Sequence, residues 1–361
     1  MMKSMASRRA FLTGVAGAGA VALFGCARKP PSLAPAHRDR ETGGTTTIVT
    51  GLNVPWGIAF LPDGRALVSQ RDAGSIVLVD PHTDNVREIG SVRGSVGRPG
   101  GEGGLLGLAL DPRDRSQLFA YVSTAQDNRV VRIDIGNGRV EETRPILTGI
   151  PTGTHHNGGR IVFGPDGHLY VGTGEAGHAQ RAQDRDSLGG KILRITRAGK
   201  PADGNPFGNE VWSWGHRNVE GLAFDDSGRL WASEFGDHES DELNLIRRGG
   251  NYGWPRYEGQ SDNPRFVDPK VTWPPAECSP SGMAIARSTA YVAALRGERL
   301  WAVPLDGDEV GEPRDYFVGR YGRLRTVAAA LDGSLWLTTS NTDGRGKPHA
   351  GDDRILRVAF D

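Results

Sequence analysis

The sequence predicts an all-β chain closed into a six-bladed β-propeller, and two observations carry that prediction. First, one loose pattern returns six times, each copy beginning about 45–60 residues after the last. It reads as an apolar strand, a polar turn that is usually Asp-Gly, a second strand rich in aromatic and β-branched residues, a loop, and a third strand. Asp-Gly between apolar runs marks a hairpin, because the turn needs the positive φ that glycine adopts freely. Second, the 361 residues include 52 glycines and 22 prolines, which punctuate many short elements, and no long run has helical periodicity. A double-sheet sandwich is the competing all-β architecture, but sandwiches rarely echo one unit six times.

Taken in order, the chain opens with "SRRAFLTGVAGAGAVALFGC", in which Arg8 and Arg9 precede an apolar stretch over residues 11–25. That stretch is mostly glycine and alanine, and it falls short of the roughly 20 residues a spanning helix needs. Residues 1–25 resemble a twin-arginine lipoprotein signal, with "LFGC" as a lipobox whose Cys26 is acylated after cleavage; an uncleaved anchor or a buried first helix is the alternative. Residues 26–45 are proline-rich and charged, suiting a flexible tether. The propeller is expected over 46–361, its copies beginning "PWGIAFLPDGRALVSQ", "GLLGLALDPRDRSQLFAYVS", "GRIVFGPDGHLYVGTGE", "VEGLAFDDSGRLWASEF", "PSGMAIARSTAYVAAL" and "LRTVAAALDGSLWLTTS". Ala59, Ala109, Ala223 and Ala284 hold equivalent places in four of them. In such a ring, loops from every blade meet at one face, where distant residues converge.

Charge and cysteine content narrow the function. Lys3, Arg8 and Arg9 are the only charges in the signal, so its removal from 43 basic residues leaves 40 against 43 acidic ones. No basic surplus invites nucleic acid, and no His or Cys cluster has zinc-ligand spacing. With Cys26 carrying lipid, Cys278 is a lone thiol and reads as a small packed residue.

The loops carry the chemistry. "GTHHNGGR" sets His155 and His156 beside a glycine pair. Histidine suits a general base because its ordinary pKa of about 6.5 lies near working pH. The blocks "GEGGLLGLALDP", "HHNGGRIVFGPDGHLYVGTGE", "AQDRDSLGGKILRI", "WGHRNVEGLAF", "SEFGDHESDELNLI" and "GGNYGWP" occur in the order found in soluble sugar dehydrogenases that use pyrroloquinoline quinone (PQQ). Over about residues 46–360 the chain resembles this aldose and glucose/sorbosone dehydrogenase family.

The resemblance implies that His156 takes the proton from the anomeric hydroxyl of an aldose while hydride passes to PQQ, giving a lactone, with His155 a loop residue. It implies that Arg217 and Asn218 lie beside the quinone oxygens, and that Arg323 and Arg325 meet its carboxylates, joined by Arg296 where a lysine is usual. Calcium is implied at Gly236 and Asp237, with a further calcium in some members near Glu242 and Tyr252. Four further positions depart from the family: Glu102 replaces a glutamine that touches the cofactor, Glu175 replaces an aspartate that orients the base, and Phe235 and Asp237 flank the calcium glycine. A carboxylate at Glu102 facing a tricarboxylate is expected to need a proton or a cation. A metal-dependent lactonase and a non-catalytic glycan- or protein-binding propeller remain as other readings of the same face. The particular sugar, the electron acceptor and the oligomeric state are not encoded in any motif.

Overall fold

A computed structural model describes residues 44–83, 85–97 and 100–359. The segments expected as export signal and tether, with Cys26, lie outside the described residues except for residues 44 and 45. Six antiparallel sheets form the six expected blades. Blade one is Pro55–Phe60, Ala66–Gln70, Ser75–Asp80 and Asn85–Ser91, and blade two is Leu105–Leu110, Gln117–Ser123, Asn128–Gly136 and Arg139–Ile150. Blade three is Gly158–Phe163, Leu169–Thr173, Lys191–Ile195 and Val211–Trp214, and blade four is Val219–Phe224, Leu230–Glu234, Asp241–Leu245 and Val271–Trp273. Blade five runs Pro280–Ala286, Thr289–Ala294 and Arg299–Asp306, edged by Arg314–Tyr316. Blade six combines Leu324–Ala329, Leu335–Thr339 and Ile355–Val358 with a strand from the other end of the chain, Thr45–Val49, which closes the ring. The first described strand begins at Thr45, a residue before the start of the propeller expected from sequence.

The first strand of each blade is innermost and packs on the first strands of both neighbours. The four repeated alanines all sit there, each paired across to a larger side chain: Ala59 with Leu67, Ala109 with Phe119, Ala223 with Trp231 and Ala284 with Tyr291. Two residues before each alanine stands a glycine. A Cβ on Gly57 would lie 2.7 Å from Leu106 O, and one on Gly107 would lie 2.3 Å from Gly159 O, so the neighbouring backbone leaves no room. Gly221 and Gly282 meet the next blade in the same way. Each innermost strand also carries a register shift near this point, bending it around the axis. Blade three has Arg160 at the glycine position. Its guanidinium crosses the axis to Glu220 O (2.8 Å) and Thr326 Oγ1 (3.0 Å) and lies 4.1 Å over the Trp56 ring, plugging the channel beneath the loop face.

One apolar cluster fills each of the six gaps between neighbouring blades. Alternate faces of every interior strand are thus buried, and the burial runs nearly continuous along Leu230–Glu234 and Leu335–Thr339. Because the strands run up and down, the Asp-Gly turns after first strands lie at one face. The loops before first strands, and those between second and third strands, lie at the other. The second face carries the predicted site.

Candidate active site

His156 lies in the loop entering blade three, in the left-handed region at φ 55°. A non-glycine residue there costs on the order of 1 kcal/mol, so its neighbours must hold it. They do so from three sides. The His156 N–H donates to Glu102 Oε2 at 2.6 Å, its carbonyl accepts from Ala176 N–H at 3.0 Å, and its Nδ1 lies 2.6 Å from Glu175 Oε1. Gly174 makes the fit possible, since a Cβ there would stand 2.0 Å from His156 O.

Glu175 is buried, and burial, the largest single influence, would raise its carboxyl, but the bond and charge of His156, the His178 N–H and the Arg217 charge together hold it below the ordinary carboxylate range. A carboxylate only accepts, so Nδ1 carries the imidazole proton and Nε2 presents its lone pair. No partner among the described residues occupies Nε2, and the side chain keeps 14% exposure. This is the arrangement of an oriented general base. His155 packs edge-on against the base, ring centroids 4.3 Å apart, and bonds Thr154 Oγ1, as expected of a loop residue.

Arg217 enters from the loop before blade four. Its carbonyl accepts the Glu175 N–H, its Nη2 reaches Asp237 Oδ1 at 2.7 Å, and its guanidinium lies 5.3 Å over the Trp254 ring. Arg217 Nε, Trp254 Nε1 and Glu175 Oε2 are all buried without a partner. Orphaned polar atoms on three linked residues suit an oxygen-bearing ligand. Asn218, by contrast, is committed within the protein: its Oδ1 accepts from Gly158 N–H at 2.8 Å, and its amide reaches Glu220 Oε1 at 3.3 Å.

The remaining arginines are brought to the same face, two of them with acids beside them. Arg323 pairs with Asp343 at 3.1 Å, while Arg325, only 4% exposed on its side chain, pairs with Glu220 at 2.8 Å and lies 3.5 Å from Asp343. Burial pushes the Asp343 carboxyl up, but Arg325 and Arg323 overcome it and keep it ionised. Arg296 is exposed in the blade-five loop and has no ion-pair partner among the described residues. The cation that Glu102 needs is Arg345, whose Nη1 stands 2.7 Å from Oε1. Burial acts to raise the Glu102 carboxyl, yet Arg345 and the His156 N–H hold it below its ordinary value. Sequence reasoning missed Arg345, Asp343, Trp254 and Glu220. The first two occupy the loop of the sixth copy corresponding to the Glu175 loop of the third, which is the signal that would have found them.

The residues expected at calcium divide into two groups. Glu242 gives one oxygen to Gly259 N–H (2.8 Å) and the other to the Asn244 amide (2.9 Å), and burial with the neighbouring Glu234 charge pushes it up to about 8. The Tyr252 hydroxyl is closed between Leu245 O and Arg247 N–H, and its ring stacks on His216. Both Glu242 oxygens and the Tyr252 hydroxyl are already engaged within the protein, so neither is presented to a cation. At Gly236–Asp237 the loop is set by Glu258, whose Oε1 accepts the N–H groups of Asp237, His238, Glu239 and Ser240 at 2.6–3.0 Å. The Asp237 carboxylate remains at the surface beside Arg217. Among the described residues no group of three or more His, Cys, Asp or Glu is placed to hold a metal, so a calcium here would depend on backbone carbonyls and on the oxygens of a bound ligand.

Fold and site together define a six-bladed propeller with an oriented imidazole base and a ring of arginines at its loop face. The chain belongs to the Glucose / Sorbosone dehydrogenase family, whose pattern it matches over residues 52–356. It is 30% identical to the aldose sugar dehydrogenase YliI of Escherichia coli strain K12, over 81% of this chain and 89% of that protein. It is also 30% identical to the quinoprotein glucose dehydrogenase B of Acinetobacter calcoaceticus, over 61% of this chain and 54% of that one. The structure of the PQQ-bound aldose sugar dehydrogenase from Streptomyces coelicolor superposes with a TM-score of 0.84 at 51% identity, covering 88% of this chain and 98% of that one.

Proposed function

We propose that the chain is a quinoprotein oxidoreductase acting on sugar CH–OH, oxidising the anomeric hydroxyl of an aldose to a lactone with PQQ as hydride acceptor. The observation that carries this reading is the His156–Glu175 pair, with Nε2 unbonded and Arg217 alongside. Nε2 takes the hydroxyl proton, and the Glu175 carboxylate stabilises the imidazolium that forms. Arg217 offers positive charge where oxyanion character develops. When bound, PQQ supplies a two-electron sink for the hydride leaving the anomeric carbon. Arg217, Arg323, Arg325 and the free Arg296 are the groups to hold its oxygens and carboxylates. The names of the Streptomyces, Escherichia and Acinetobacter relatives support the same chemistry.

Calcium is proposed at the Gly236–Asp237 loop alone, and no step above runs through it. The segment before the propeller supports export and acylation at Cys26, with attachment to the outer face of the cytoplasmic membrane through lipid. The electron acceptor beyond the quinone is an unassigned partner.

Titration of PQQ, with calcium present, into wild type and His156→Ala tests the reading. Both proteins should bind the quinone with similar affinity, while His156→Ala loses about 10²–10⁴ in turnover of an aldose, the usual contribution of a positioned base. A wild-type protein that neither binds PQQ nor oxidises any aldose is a binding propeller or a lactonase instead.

A further inference from the structure

The loops that hold His156 include one pair of side chains for which hydride transfer has no evident use. Glu102 and Arg345 are 243 residues apart in sequence and come from different blades, yet they meet directly over the base loop. Both Glu102 oxygens are engaged: Oε2 accepts the His156 N–H at 2.6 Å and Oε1 accepts Arg345 Nη1 at 2.7 Å. Glu102 is itself tied down, its own N–H donating to Thr154 O at 3.2 Å. Arg345 is fixed from behind, its N–H donating to Asp343 Oδ1 at 2.9 Å, and the two loops are stitched by Gly100 N–H to Asp343 O at 2.9 Å. The bond from Glu102 falls on the one residue of the base loop whose backbone is non-glycine and left-handed.

We propose that Glu102, held by Arg345, is a positioning residue for the base: its carboxylate fixes the His156 backbone, and through it the direction of Nε2, rather than contacting the cofactor. Glu175 sets the ring from the Nδ1 side and Glu102 sets the main chain from the other, so the imidazole has no free rotation left to lose when substrate arrives. Arg345 has a second consequence. By neutralising Glu102 it keeps a bare carboxylate away from an anionic quinone, so the glutamate is tolerated where the family has glutamine. This assignment rests on His156 being the base.

The test uses Glu102→Ala, Glu102→Gln and Arg345→Ala in the full chain, with amide hydrogen exchange of His156 in cofactor-free protein as a readout independent of turnover. Glu102→Ala should speed exchange at the His156 amide and lower kcat by about tenfold to a hundredfold, with KM for glucose and affinity for PQQ changed less than about threefold. Glu102→Gln keeps an acceptor for the amide and should restore most of both. Arg345→Ala should weaken PQQ binding, and adding Glu102→Gln to it should recover that binding, because the uncompensated charge is gone. Wild-type exchange and wild-type kcat in Glu102→Ala would overturn the assignment. So would a gain of PQQ affinity in Glu102→Gln alone, which would show the carboxylate facing the cofactor. If wild type oxidises no aldose while Glu102→Ala still frees the amide, it is the dehydrogenase reading that has failed, and the assignment of a base falls with it.

Discussion

Glu242 and Glu234 face each other across neighbouring strands of blade four, two buried acids where one cation would ordinarily be expected. Glu234 is held by the His216 ring at 2.7 Å and by the Arg217 N–H, which leaves Glu242 as the member that takes a proton. Burial first, then the Glu234 charge, moves its carboxyl from 4.5 to about 8. In that window the folded chain holds a proton that the unfolded chain has released. The stabilising contribution is therefore complete below pH 4.5 and is lost as pH rises through about 8. Melting of cofactor-free protein between pH 5 and 8 should show this decline in wild type and a smaller one in Glu242→Gln. Equal slopes in the two proteins would place the proton elsewhere. Residue roles of this kind were only partly legible in the sequence. His156, Arg217 and Glu175 stand in motifs whose order identifies them, but that Glu242 faces Glu234 depends on the cross-strand register, and that Arg345 neutralises Glu102 depends on ring closure. Neither distance exists along the chain.

Blade packing is decided at the innermost strands, and there the small residues matter more than the large ones. Gly107 faces backbone first: a Cβ would approach Gly159 O to 2.3 Å and Ile161 N to 3.1 Å, with Ile161 Cγ1 next at 3.3 Å. Backbone in a closed ring yields little, so Gly107→Val should cost about 1–3 kcal/mol through overpacking. For a domain of this size that lowers the melting temperature by roughly 2–4 °C per kcal/mol. Gly64→Ala is the contrasting case, since its Cβ would meet nothing within 4 Å and its penalty comes from φ 86° alone. Scanning calorimetry of the two variants compares crowding with backbone strain; a Gly107→Val protein as stable as wild type would mean that the blades slide apart without cost. The apolar repeat around these strands is what made six blades readable from sequence. Other elements had no such periodicity. Residues 246–270 leave blade four, run beside Trp214 of blade three through Asn251, and bring Trp254 and Glu258 to the site face, a path set by contacts instead of pattern.

At the scale of the whole molecule, the ring is closed by the strand that follows the tether. Thr45–Val49 pairs with Ile355–Val358, and Ile48 and Val49 enter the cluster between blades six and one with Trp336, Val77 and Val79. Sequence repeats could not show this, because the sixth copy carries only three strands of its own and the fourth stands ahead of the first copy. Each of the two buried side chains contributes about 1.5–3 kcal/mol. Their sum is a large part of the roughly 5–15 kcal/mol by which domains are stable. Closure also holds the Asp343–Arg345 loop against the Glu102 loop, so it bears on the site as well as on the fold. Two truncations separate anchor from closure. The proposed acylation at Cys26 predicts that a chain beginning at residue 44 leaves the membrane fraction while keeping its melting temperature and aldose oxidation, since every described residue is retained. A chain beginning at residue 51 should melt about 10 °C lower or more. It should also lose turnover in greater proportion than quinone binding, because the base loop has lost its clamp. If the shorter chain melts with the longer, ring closure is not what Thr45–Val49 provides; if the longer still sediments with membranes, attachment does not depend on Cys26.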